Sequence, residues 1–551
     1  MIPLLIRNSG LVTPNFMLHT PLLKTLRIAK TSSLLRRNCL LMAASSVLAF
    51  SAVAQIAPAK ASMTGSNASR ALMVASPWEI GSLDPSKTGF IFSRLEITET
   101  LVEVNPQGDL VGGLATRWDV SKDQLTWRFK LRPAAKFHDG TAVTAEAALR
   151  SLERAKANPG VLGNAPIKRM AAEGDTVVVE LTKPFGALAA FLAHNSTQVL
   201  AAASFNADGS VKAVIGSGPY KISSVSPPTK LEAVRFEQFD GKKPAVQAIN
   251  YLASSRGETR GMLAESTQAD LVFTHDPASF ERLKQNNKLQ FHSLAIPRTI
   301  YLKVNAGHPL LKDVAVRQAM SLAIDRNGIA SAILREPKAA ATQLFPPILA
   351  EWNVAGMPAL VRDPAKAKQL MQSAGWKPGA DGMLSKDGKA FKVVLRTFPD
   401  RPELPPMAAA IQAQLKEIGI DVQIAVGNSS EIPAGHKDGT LELGLLARNY
   451  ALVPDPIGTL LQDFGPTGGD WGAMGWTSTQ VRSALDSLSA TADNTKRSAL
   501  RGSLATVLQA ELPVIPIAWY QHTATSSKRL GNVQIDPLER SYRISSMVWA
   551  K

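Results

Sequence analysis

A single cysteine, Cys39, occurs in 551 residues. One thiol excludes a disulfide framework and any cysteine-based zinc or iron–sulfur site. Histidine is also scarce: the chain has eight, and no two lie within ten residues of each other. A helical His-x-x-x-His zinc site is therefore absent. Repeats, low-complexity tracts and long single-sign charge runs are missing, which argues against solenoid, collagenous and disordered classes. Catalytic signatures are missing too, with no Gly-x-Ser-x-Gly elbow and no Ser-x-x-Lys. The nearest approach to a phosphate loop runs from Gly382 to Gly388-Lys389-Ala390. It is one residue too long and carries Ala where Mg²⁺ needs a hydroxyl, so Asp387-Gly388 reads as a turn between two short strands. His138-Asp139-Gly140 reads as a polar turn. The expectation is a protein that is not an enzyme and needs no cofactor.

The composition is 45% hydrophobic and 19% charged, which is globular, and the length calls for two or more lobes. Formal net charge is +16, but the first 61 residues distort it. They hold Arg7, Lys24, Arg27, Lys30, Arg36, Arg37 and Lys60 and no acid; removing those seven leaves 54 basic against 45 acidic residues. That modest excess needs no nucleic-acid partner. A basic stretch ends at Arg36-Arg37, an uncharged Ala/Leu/Ser-rich run follows from Asn38 to Ala59, and small-residue cleavage sites stand at Ala52-Val53-Ala54 and Ala59-Lys60-Ala61. A membrane anchor competes with this reading, since the run nears the ~20 residues that span a bilayer. Ala, Ser, Gln and Pro dilute it, and the segment is read as a cleaved export signal over residues 1–61. "LRRNCLL" matches a twin-arginine signal poorly. No later apolar run reaches spanning length, so the mature chain is expected to be extracytoplasmic, in the periplasm.

Strands and amphipathic helices alternate beyond the leader. Leu125 to Arg132 alternates apolar and polar residues, and Val177 to Leu181 reads as a second strand. Asp313 can cap a helix running to about Leu334. Pro364 after Asp363 starts another, ending at Gly375. From Lys392 to Val426 the pattern is strand, helix, left-handed Gly419, strand: a βαβ unit, which favours a parallel, doubly wound lobe. Two apolar extended stretches, Thr299–Asn305 and Leu512–Trp519, read as crossovers between lobes. The expected domains are 62–304 for lobe I with an extra subdomain, 305–511 for lobe II, and 512–551 returning to lobe I. Two crossings make a hinge, and a hinge makes a cleft that closes on a ligand.

Five collinear segments carry a family resemblance: "ETLVEVNPQGDLVGGLATRWDVSKDQLTWRFKLRPAAKFHDGTAVTAEAAL", "GSGPY", "YLKVNAGHPLLKDVAVRQAMSLAIDRNGIA", "DPAKAKQLMQSAGW" and "IQAQLKEIGIDVQI". Together they resemble the large extracytoplasmic solute-binding proteins (family 5) of ABC importers for dipeptides, oligopeptides and nickel. The resemblance implies an α/β, two-lobed periplasmic-binding-protein fold of type II, hinged by two crossovers, that closes over a buried ligand. It implies a monomer delivering a small-molecule ligand to an ABC permease and ATPase complex in the inner membrane. Trp127, Phe129, Phe137 and Arg317 are expected to hold the scaffold, and Asp325-Arg326 to tie a helix end.

The family places part of its pocket before a late Asp-Pro, here Asp455-Pro456. The peptide-binding branch carries an Asp three residues earlier, against the peptide's α-ammonium; here that position is Leu452, which cannot supply the charge. The nickel-type branch resembles this chain more closely, with Arg448 and Tyr450 where it has Arg and Trp, and with a similar tail, "LGNVQIDPLERSYRI". Its histidine after the Asp-Pro is missing from "FGPTGGDWGAMGW". An Arg beside an aromatic suits an anionic chelate, whereas a bare metal needs His or carboxylate ligands. The cargo therefore stays open among an organic anion, a metal–chelator complex and an unusual peptide. Alignment with the family adds Ile91, Phe92, Asn195 and Arg540 as ligand-contact candidates; Trp78 at the first strand's exit and Trp471 as a wall complete the set. Core packing, or for Arg448 a surface or interlobe salt bridge, is the competing reading for each. The alternatives from other classes are an extracytoplasmic hydrolase or peptidase, which lacks a visible nucleophile–base pair, and a ligand sensor using the same lobes.

Overall fold

The computed structural model describes residues 70–550 apart from 106, 107, 159, 467 and 492. The expected leader and Cys39 lie outside the described residues. Ten strands build one sheet: β1 (Leu72–Ser76), β2 (Tyr220–Ser226), β3 (Lys230–Arg235), β4 (Ala248–Ala253), β5 (Leu271–Phe273), β6 (Leu289–Val304), β7 (Lys392–Thr397), β8 (Asp421–Val426), β9 (Leu443–Asn449) and β10 (Val514–Ser527). Their order is β8-β7-β9-β6-β10-β5-β1-β4-β3-β2. β1 runs parallel to β4 and β5 at one end, and β7 runs parallel to β8 and β9 at the other. The long strands β6 and β10 join the two ends and pair antiparallel with each other.

Both anticipated crossovers fall on β6 and β10, with Thr299 opposite Trp519. Their ladder is interrupted: the register shifts between Ala295 and Thr299, so residues 296–298 leave the pairing with β10. Such a break re-aims side chains locally, and it is where Arg298 stands. The βαβ expectation is met by β7, the helix Leu404–Glu417 and β8, with Gly419 at φ 85°. Asp387 and Gly388, at φ 52° and 74°, turn the hairpin between Leu384–Lys386 and Lys389–Ala390. A separate antiparallel sheet has the order Ala115–Val120, Thr126–Leu131, Thr176–Leu181, Ile167–Glu173. The helix Ala145–Ala157 buries Ala145, Ala148, Leu152 and Ala155 on it. In Thr126–Leu131 the inward residues Trp127, Phe129 and Leu131 are buried, as strict alternation requires.

One expectation needs correcting. The helix capped by Asp313 ends at Ala323 rather than near Leu334. Asp325 is the cause: its side chain accepts from the Gly328 N–H at 2.9 Å and starts a new short helix. A short acid that bonds its own backbone competes with helix continuation. Arg317 and Arg326 are scaffold residues: both are buried, and Arg317 donates to the carbonyls of Leu311, Lys312 and Glu511 while Arg326 donates to Ser321 and Pro516.

Candidate ligand-binding site

Three arginines converge where β6 and β10 cross the sheet. Arg94 ends the short helix Phe90–Arg94, Arg298 stands at the register break of β6, and Arg401 lies in the turn after β7. All three are buried, at 4–5% exposure. A buried guanidinium needs a partner, and the partner comes from the tail. Glu539, held at φ 57°, pairs through Oε2 with Arg298 and accepts from Asn449 Nδ2 at 2.9 Å. Its Oε1 lies 4.0 Å from Arg94 Nη2 and 3.6 Å from His522 Nδ1, and its backbone carbonyl accepts from Arg94 Nε at 2.8 Å. The left-handed backbone at a non-glycine residue is strain held by these contacts.

Aromatic rings complete the walls. Trp78 carries Arg94 at 5.2 Å and Arg401 at 4.7 Å from its ring; Tyr520 carries Arg298 and Arg401, each at 5.0 Å. Arg401 Nη1 donates to Tyr520 Oη at 2.9 Å. Such contacts favour cations once water is excluded.

Burial pushes the Glu539 carboxyl up, but Arg298, His522, Arg94 and Arg401 outweigh it and bring its pKa to about 2. Burial lowers His522 to about 4; Arg298, Arg94 and Arg401 add to the fall while Glu539 opposes it, so the imidazole is neutral at neutral pH. Burial also lowers Arg298 to about 10. Two further carboxyls in the neighbourhood, Glu403 and Asp400, are raised by burial. Arg94 and Arg298 thus share the ionised Glu539, and of the carboxyls Arg401 feels Glu403 first and then Glu539 and Asp400. Among the described residues, Arg94 Nη1 and Arg298 Nε and Nη1 have no hydrogen-bond partner, and neither do Glu539 Oε1 and His522 Nδ1. Unpaired buried donors of this kind are costly, and only acceptors from outside the chain, a ligand or ordered water, can satisfy them.

The anticipated site residues separate into groups. Trp78 belongs to the arginine cluster. Arg448 instead makes a two-point pair with Asp463, at 2.8 and 2.7 Å, so its charge is already matched within the chain. Tyr450 is fully buried against Phe345, with ring centroids 5.3 Å apart. Trp471 packs edge-on against Phe398 at 6.3 Å. Arg540 donates to the carbonyls of Ala193 and Leu452 and to Glu103, and Asn195, next to His194 in sequence, has a buried, unpartnered Oδ1 among the described residues. His194 is lowered to about 3 by burial, with the positive charges of Arg540 and Arg448 adding to the fall. Ile91 and Phe92 are fully buried in the apolar core beneath β1 and β4, while Arg94 on the same helix reaches the cluster.

Sequence reading missed Arg94, Arg298, Arg401, Tyr520, His522 and Glu539. Signals existed for two of them. Arg298 is a charge at the mouth of an apolar crossover, and Glu539 immediately precedes Arg540; nothing local marks Arg401. Among the described residues no group of three or more His, Cys, Asp or Glu could hold a metal ion, and no helix is long and apolar enough to cross a membrane.

A mixed α/β fold whose one large sheet is bridged by two long crossover strands is that of the two-lobed periplasmic binding proteins. NikA from Staphylococcus aureus in complex with Ni(L-His)₂ has this fold: TM-score 0.78 at 20% identity, over 87% of this chain and 100% of that one. The model for "Bacterial extracellular solute-binding proteins, family 5 Middle" matches residues 109–471, and the chain belongs to that family. It is 26% identical over 485 residues to the nickel-binding periplasmic protein of Escherichia coli K12, covering 85% of this chain and 92% of the relative. It is 25% identical over 496 residues to the dipeptide-binding protein of the same organism, covering 83% and 90%.

Proposed function

We propose that this protein is the solute-binding component of an ABC importer and that its cargo is a small organic anion, free or as a metal chelate, that brings carboxylate-type acceptors to Arg94 and Arg298. The observation that carries this reading is the set of unpartnered guanidinium N–H donors buried around Glu539. Family membership supports the transport role. The named relatives bind nickel and dipeptides, and two features favour an anion over a bare ion or a peptide amino-terminus: the described residues offer no metal-ligand cluster, and Leu452 stands where a peptide binder needs an acid.

The arginines come from separate parts of the chain. Arg94 belongs to lobe I as read from the sequence (62–304), Arg401 to lobe II (305–511), and Arg298 to the end of lobe I, immediately before the first crossover. A ligand touching all three binds the closed form better than the open one and shifts the equilibrium by that difference in affinity. The closed form then docks on the membrane permease, whose ATPase supplies the energy. Trp78 stacks on the cargo's body; Arg448, Tyr450 and Trp471 form the adjoining wall, Asn195 and Arg540 the far end, and Ile91 and Phe92 back the site from the core. Residues 1–61 direct export to the periplasm and are cleaved there, and the mature protein works as a monomer.

Native mass spectrometry of small molecules retained through non-denaturing purification tests the reading. The expected finding is an acidic compound that is lost from Arg94→Ala. A neutral or cationic compound that Arg94→Ala still retains refutes it.

A further inference from the structure

Lys303, on β6 and wholly buried, has no carboxylate among the described residues within hydrogen-bonding distance. Its ammonium donates instead to the carbonyls of Gly469 at 2.7 Å, Gly472 at 2.7 Å and Asp470 at 3.1 Å, and lies 3.0 Å from His436 Nδ1. Tyr301, two residues back on the same face of the strand, donates its hydroxyl to the carbonyl of Trp471. All four carbonyls of residues 469–472 are therefore gathered by two side chains of one crossover strand. The loop is glycine-rich and closely packed: a Cβ at Gly472 would collide with Asp463, and Gly468 stands at φ 72°.

The charge is held at a cost. Burial pulls Lys303 down to about 7, Asp463 and Asp470 oppose the fall, and Arg448 adds to it. A buried ammonium that only replaces lost water contacts with carbonyls is weak evidence for stability, so the position it fixes is the better explanation. What it fixes is Trp471. That ring meets Phe398 edge-on at 83°, and Phe398, 4% exposed, opens the turn that carries Arg401 three residues later.

We infer that Lys303 is a positioning residue for the anion site: it pins residues 469–472 so that Trp471 props Phe398 and, through it, Arg401 against Trp78 and Tyr520. The inference rests on reading the arginine cluster as the site, and it is tested without any cargo. Hydrogen exchange of the ligand-free protein, followed by mass spectrometry on peptides covering 464–475 and 396–403, is the measurement. Lys303→Met is expected to speed exchange about tenfold in the first peptide and severalfold in the second, since both lose protection together. Lys303→Ala is expected to recover protection in both with added propylammonium, which restores the missing amine, and not with propanol. Trp471→Ala keeps Lys303 and cuts the relay, so only the 396–403 peptide should accelerate. Unchanged exchange at 396–403 in Lys303→Met or in Trp471→Ala overturns the inference, and so does equal rescue by propanol. None of these outcomes depends on the cargo's being an anion; that reading fails separately, through the identity of the co-purified compound.

Discussion

Replacing Glu539 by Gln keeps the shape of the side chain and removes the carboxylate that Arg94 and Arg298 share. Two routes give the size of the effect. Leaving buried charges uncompensated costs about 3–5 kcal/mol. Independently, a carboxyl lowered from 4.5 to about 2 on folding contributes about 3 kcal/mol at neutral pH. In a chain of this length the unfolding entropy is near 1 kcal/mol per kelvin, so the melting temperature should fall by about 3–5 °C. The sign with pH follows from the lowered value: the contribution is fully present above about 4.5 and is lost as pH falls through about 2. The gap between wild type and Glu539→Gln should therefore be constant from neutral pH to about 4.5 and narrow below it. Citrate supplies carboxylates to the same guanidiniums, so it should raise the melting temperature of Glu539→Gln more than that of wild type. Differential scanning fluorimetry across pH, with and without citrate, reads all three effects. A variant that melts within a degree of wild type and responds no more strongly to citrate would refute the claim that Glu539 is the counter-charge of this cluster.

Arg448→Ala leaves Asp463 buried without its pair and should destabilise the protein by about 3–5 kcal/mol; calorimetric titration with the co-purified cargo should also show a large loss of affinity, and unchanged affinity would remove Arg448 from the pocket. Gly472→Ala forces a methyl into the Asp463 backbone, and an overpacking cost of about 1–3 kcal/mol is expected in chemical denaturation, with no change counting against the tight loop. Acid should weaken the fold through its buried histidines, against a partial offset from Glu99, whose carboxyl is raised to about 7 by burial and which gains stability as it protonates. His138 and His522 are lowered to about 4 and His194 and His275 to about 3, in each case chiefly by burial. Their contribution is present above about 6.5 and is lost as pH falls towards those values, so a melting temperature that stayed flat from pH 6.5 to 4.5 would contradict the neutral, buried state of these rings.

Much of the scaffold could be read from local pattern because local physics produces it. The alternation in Leu125–Arg132 gives a half-buried strand whichever sheet it joins, and Asp387-Gly388 can adopt the positive φ angles its hairpin demands. Gly419 closes a helix for the same reason. The two crossovers were legible as apolar extended runs outside any helical period, and they are the C-terminal end of β6 and the first half of β10. The helix that stops at Ala323 was misjudged because its apolar stripe continues, while the deciding interaction is a short side chain turning back on its own backbone.

The candidate site was far less legible. Trp78 was anticipated and stands in the arginine cluster, and Arg540 was anticipated while its neighbour Glu539 was passed over. The order of elements, the hinge strands and the family signature were determined by the sequence alone, because they depend on residues close in the chain and on periodicity. Which charges meet was decided by tertiary structure only. Arg94, Arg298, Arg401 and Glu539 are scattered over more than four hundred positions, and each is an unremarked surface-type residue until folding removes its water. Desolvation and Coulomb energy act through distance in space, and a one-dimensional pattern carries no record of that distance.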